Sequence, residues 1–210
     1  RYEMRHRTEA YPLVLDVRDA EAVEAALSGL PEPWASIAVL VNNAGLARGL
    51  DPAYENTPEH IDDMVDTNVK GLLYVTRAVV PGMLARGRGH VINIGSTAGH
   101  AVYPGGTVYS ATKHAVRAVT QGLKMDLHGT PIRVSSVDPG LVETDFSKVR
   151  FGGDAARADD VYATTEPLRP QDVADAVVYC ASRPAHVNIA ELVLMPTAQS
   201  SATMIHRREG

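Results

Sequence analysis

Residues 90–115 read HVINIGSTAGHAVYPGGTVYSATKHA, and their pattern changes once. The run Val91 to Ile94 is short, largely β-branched and closed by the small pair Gly95-Ser96. Such a run, bounded by turn residues, reads as a strand of a sheet buried on both faces. After a glycine- and proline-containing loop a helical pattern begins near Tyr109, with Lys113 four residues on and therefore on the same helix face. Strand, loop and helix in that order make half of a parallel crossover unit.

Working outward, the same alternation recurs on both sides. YPLVLDV (11–17), IAVLVNNAG (37–45), IRVSSVDPG (132–140) and ELVLMP (191–196) read as further strands. AEAVEAALSGL (20–30), a long pattern from Pro58, a segment of about Tyr109 to His128 and one from Pro170 read as helices. Thr57-Pro58-Glu59 supplies a capping hydroxyl, a proline where the amide is orphaned anyway and an acid in the first turn. Gly87 and Gly129 stand where helices stop in a left-handed residue. The expected fold is therefore α/β, a doubly wound parallel sheet, in a single domain over residues 1–210. Residues 141–168, rich in Gly, Asp and Ala, form a candidate lid.

Composition narrows the function. A net charge of −5 lacks the basic excess that nucleic-acid binding requires. The lone Cys180 lies in the apolar run VVYCA and reads as helix core. No apolar run approaches the ~20 residues of a spanning helix, so no membrane partner is expected and the chain reads as cytoplasmic. The eight histidines are scattered, without HExxH or CxxC, and no metal site is expected.

In an open α/β sheet the ligand crevice lies beyond the carboxyl ends of the strands, which singles out Asp16, Asn42, Asn43, Ser96 and Pro139-Gly140. Tyr109 beside Lys113 has a chemical use, because an ammonium stabilises the phenolate and lets the hydroxyl exchange a proton nearer neutral pH. Ser96 can donate a second hydrogen bond to the same substrate oxygen. Asn68 falls on the apolar stripe of its helix, so its amide needs main-chain or water partners. Singly, these residues are an ordinary helix face, a strand-end cap and a satisfied amide. Their joint order along one sheet carries the reading. A serine hydrolase is disfavoured, since Ile94 and Ala98 occupy the two glycine positions of Gly-x-Ser-x-Gly around Ser96. His100 and His114 read as surface or pocket-lining residues.

The order LDV (15–17), NNAG (42–45), TNVKG (67–71), IGSTAG (94–99), YSATK (109–113) and DPG (138–140) resembles the short-chain dehydrogenase/reductase family. GLPEPWASIAVLVNNAGLA, PGLVETDFSKVRF and RPAHVNIAELVLMPTAQS are similar to its NADP-dependent 3-hydroxy acid dehydrogenases. The resemblance implies a Rossmann-type fold and hydride transfer between NADP and a small 3-hydroxy acid such as serine, allo-threonine or 3-hydroxypropionate, with NAD as the open alternative. It implies a catalytic set of Asn68, Ser96, Tyr109 and Lys113. It also implies cofactor contacts from Asp16, Val17, Asn43, Ala44, Gly45, Tyr109, Lys113, Pro139, Gly140, Leu141, Val142 and Thr144, and a homotetramer. Ser96, Tyr109 and Arg150 are the expected substrate contacts, Arg150 through a carboxylate. The family's glycine-rich loop, Gly-x-x-x-Gly-x-Gly, is absent, which implies a chain lacking the first strand–helix–strand unit. The competing expectation is a cofactor-free remnant that serves only in assembly.

Overall fold

The computed structural model describes residues 9–208. Four short apolar runs form strands: β1 (Val39–Asn42), β2 (Gly89–Ile94), β3 (Ile132–Pro139) and β4 (Glu191–Leu194). All neighbours pair in parallel, in the order β1-β2-β3-β4. The register sets Asn42 beside Asn93, and Ile94 beside Val137. Parallel pairing requires crossovers, and the helices between strands supply them.

The helices cover both faces. On one side α1 (Ala20–Ser28), α3 (Leu72–Arg86) and α4 (Thr107–Asp126) pack on the sheet. Their Leu27, Val79, Met83 and Leu123, with Leu127 just past α4, meet Leu40, Val91 and Val134. On the other side α7 (Pro170–Ala181) sets Val173, Ala176, Val177 and Cys180 against Ile92, Val137 and Leu192. Cys180 is fully buried, and burial pushes its thiol up, which suits helix core. Alternate residues of a strand serve opposite faces, so both faces must be apolar. The exception is a polar seam near the strand ends, where Asn42 bonds Thr76 of α3 and Asn93, and Asn93 bonds Thr120 of α4.

Local signals act as read. The Thr57 hydroxyl accepts from the His60 amide at the start of α2 (Pro58–Val65). Gly87 ends α3 at φ 64°, a left-handed conformation that costs a side-chain residue energy and costs glycine almost none. The long pattern from Pro58 is not one helix, however: residues Asp66–Gly71 wind as a π-turn between α2 and α3.

The expected strand at 11–17 does not form. Residues 9–16 carry no regular structure, Val14 is wholly exposed, and Tyr11 stacks on Trp34. A strand exists only through the backbone partners of a neighbour, and among the described residues none lies along the outer edge of β1. On that side Val39 and Val41 stay exposed. The candidate lid, 141–168, contains α5 (Phe146–Arg150) and α6 (Ala155–Tyr162). It is closed at its base by main-chain bonds from Glu143 to Leu168 and from Leu168 to Leu141. Among the described residues no helix is long and apolar enough to cross a membrane.

Candidate active site

Past the carboxyl ends of β1, β2 and β3, and under α5 and α6, lies a cleft of about 1340 Å³. β2 delivers Ser96. Its hydroxyl accepts from the Ala98 amide at 3.1 Å, capping a single turn at Thr97–Gly99, and its own proton remains to donate. α4 delivers Tyr109 and, one turn on, Lys113, whose Nζ donates to the Ile94 carbonyl at 2.9 Å. The ammonium stands 5.9 Å from the Tyr109 ring centre.

Asn68 lies behind this pair, in the π-turn, and is 2% exposed. Its Oδ1 accepts from the Leu46 amide at 2.8 Å, and its Nδ2 donates to the Leu46 carbonyl and to Thr112 Oγ1. The main-chain partner expected for this amide is therefore Leu46. The extra residue of a π-turn is a frequent device at functional sites, and Asn68 lies within this one.

Charge in the site is governed by burial. Desolvation pushes the Tyr109 phenol above its ordinary value, while the Ser96 hydroxyl and the Arg150 guanidinium work against that. This corrects the sequence reading, in which the lysine brings the phenol down. The missing element was the dielectric, because burial disfavours the phenolate more than its neighbours support it. Lys113 is lowered to about 8 for the same reason, with the Asp138 carboxylate opposing the loss.

Arg150 closes the far wall. Its guanidinium lies 5.2 Å from the ring centres of both Tyr109 and Phe146, and Nη2 donates to the Tyr103 hydroxyl at 3.0 Å. Its Nε is buried without a partner among the described residues. Tyr103 had no signal in the sequence beyond an aromatic residue in a loop.

The cleft brings together Asn43, Gly45, Ser96, Tyr109, Lys113, Pro139, Gly140, Leu141, Val142, Thr144 and Arg150. Asp16, Val17 and Ala44 are not among its lining residues. Asp16 is exposed in an ion pair with Arg18, Val17 lies against Gly71, and Ala44 is exposed. Asn42 is turned into the polar seam. His100 does not line the cleft but bonds the buried Asp138. One cluster among the described residues has the donor atoms of a metal site, His100, Asp138 and Glu191, but Arg117 holds Glu191 and His100 holds Asp138.

A parallel sheet covered on both faces, with a tyrosine, a lysine and a serine gathered at its strand ends, defines an α/β oxidoreductase scaffold. The short chain dehydrogenase family matches residues 2–153, and the chain belongs to that family. It is 52% identical over 200 residues to the NADP-dependent 3-hydroxy acid dehydrogenase YdfG of Escherichia coli K12, covering 94% of this chain and 81% of that one. It is 45% identical over 199 residues to sulfoacetaldehyde reductase 2 of Chromohalobacter salexigens, covering 94% and 79%. Among solved structures it is similar to the closed form of a serine dehydrogenase complexed with NADP+. That likeness has a TM-score of 0.88 at 52% identity, with 93% and 79% of the two chains covered.

Proposed function

We propose that this chain, folded as one domain, transfers a hydride between NADP and a small 3-hydroxy acid, with Tyr109 as proton donor and acceptor. The observation that carries the reading is the meeting of Tyr109 and Arg150 in one cleft, 5.2 Å from guanidinium to ring centre. In a 3-hydroxy acid the reacting oxygen and the carboxylate are separated by a short carbon chain. One molecule can therefore place its hydroxyl on Tyr109 and its carboxylate on Arg150.

The residues present fit the nicotinamide end of the cofactor. Among the described residues Lys113 makes one hydrogen bond, to Ile94, and keeps protons for ribose hydroxyls. At Gly45 a Cβ would stand 3.3 Å from Asn68 Oδ1 and 3.7 Å from Lys113 Nζ, so its absence leaves room for a ligand. Asn43, Lys113, Pro139 to Val142 and Thr144 would hold that end. NADP supplies the hydride acceptor or donor when bound.

The chain's own residues handle the proton. In the reducing direction Tyr109, kept protonated by burial, donates its phenolic hydrogen to the oxygen that gains negative charge. Ser96 donates a second hydrogen bond to that oxygen, and Lys113 stabilises the phenolate left behind. In the oxidising direction the same atoms run in reverse, the phenolate taking the substrate's hydroxyl proton. Arg150 fixes the other end, which turns a chance encounter into an oriented one.

NADPH fluorescence titration followed by turnover assays on serine and 3-hydroxypropionate tests this. Tyr109→Phe is expected to lower kcat by at least about a thousandfold while cofactor affinity stays within about twofold. Retained turnover would remove Tyr109 from its role. A folded protein that ignores millimolar NADPH would favour assembly alone as its activity. The homotetramer and the cytoplasmic setting belong to the same proposal, and light scattering on the purified chain tests the former.

A further inference from the structure

Lys113 is 7% exposed, and among the described residues its ammonium bonds only a neutral carbonyl, that of Ile94. A buried charge without a direct ion pair needs an opposite charge nearby. The residue after Ile94 is Gly95, and a Cβ there would overlap Asp138 Oδ1. The carboxylate thus lies flat against the backbone at the end of β2, one residue from the carbonyl that receives the lysine. Asp138 is itself 2% exposed, so its seat is specific.

Two donors hold it there. Ser136 Oγ donates to Oδ1, and His100 Nε2 meets Oδ2 at 2.7 Å. The charged groups gathered around it among the described residues come from three elements. His100 comes from the turn after β2, and Glu191 of β4 stands 3.8 Å from the imidazole. Arg117 of α4 is bonded to Glu191 at 2.8 Å, and Lys113 comes from the same helix. From the surface inward the contacts run Arg117 to Glu191, Glu191 to His100 and His100 to Asp138. His100 also ends the turn that Ser96 begins, so its bond to Asp138 ties that turn to the end of β3.

We propose that Asp138 is the buried counter-charge of Lys113 and a positioning residue for proton transfer at Tyr109, its carboxylate seated by His100 and Ser136. The proton-transfer half rests on the function proposed above, whereas the charge pairing stands apart from it.

The chain has only four lysines, 70, 113, 124 and 148. A 13C-lysine NMR titration of the whole chain can therefore follow Lys113, identified by its loss in Lys113→Met. In Asp138→Asn, which keeps shape and removes charge, Lys113 should lose its proton at a pH lower by about one. Asp138→Glu, which keeps the charge, should restore the midpoint. His100→Leu, at a partly exposed position that survives if Asp138→Asn fails to fold, frees the carboxylate from a competing donor and should move the midpoint upward. An Asp138→Asn midpoint equal to the wild type, or no upward move in His100→Leu, overturns the pairing. In turnover assays the alkaline edge of kcat should follow the Lys113 midpoint from variant to variant. An edge that stays put overturns the positioning role. Absence of NADP-linked turnover in the wild type would sink the proposed function and leave the NMR comparison decisive for the pairing.

Discussion

Arg150 is a surface-type residue held where its Nε has no partner and its Nη2 has only Tyr103. A charge-assisted bond from the guanidinium to a substrate carboxylate is worth about 1.5–3 kcal/mol. Arg150→Met should therefore lower kcat/KM for 3-hydroxy acids by roughly tenfold to a hundredfold, mainly through KM. Turnover kinetics equal to the wild type would remove the carboxylate contact. Ser96, Tyr109 and Lys113 were legible because their chemistry follows from residue type and strand-end position. The direction of the Tyr109 shift was not, since it depends on how much water the fold removes from the phenol, and no residue spacing encodes that.

At the scale of elements, the lid depends on the carboxyl-terminal arm. Arg207 donates to the Ala163 carbonyl at 2.6 Å and to those of Asp160 and Val161, at the end of α6 where helix carbonyls lack partners. The Arg208 amide adds a bond to Thr164, and Tyr162 ties α6 to Ser147 of α5. The arm thus braces α6 and, through Tyr162, the helix α5 that carries Phe146 and Arg150. Arg207→Ala should loosen this brace by about 1 kcal/mol, read as a roughly fivefold rise in KM with kcat nearly unchanged. Faster tryptic cleavage within 150–157 would accompany it, and an unchanged KM would show that the lid stands without the arm. The start of α2 and the stop of α3 were readable from a cap and a glycine, whereas α5 and α6 were not. The π-turn at Asp66–Gly71 was not, because the amphipathic stripe continues through it and only the Asn68 bonds to Leu46 and Thr112 reveal the extra residue.

For the whole molecule, acid stability hinges on a group far from the cleft. His90 lies in the middle of the sheet, 1% exposed, with Nε2 on Ser135 and Nδ1 unpartnered. Burial pushes its imidazole down to about 4, with Arg133 adding to the effect. The unfolded chain takes up that proton from about pH 6.5, so between there and pH 4 the unfolded state binds more protons and stability falls as pH falls. The loss reaches about 3 kcal/mol at the bottom of the window. Thermal melts from pH 7.5 to 4.5 should decline more steeply for the wild type than for His90→Gln, and parallel declines would clear His90 of the effect. The sequence by itself determined the parallel α/β class and the succession of the four strands with helices between them, because periodicity and capping chemistry are local properties. Tertiary structure decided the rest. It left YPLVLDV outside the sheet, since a strand is made by its neighbour, and it set Asp16 and Val17 apart from the cleft. It also placed Asp138, His100 and Tyr103 around Lys113 and Arg150, because burial and charge pairing join residues that are distant along the chain.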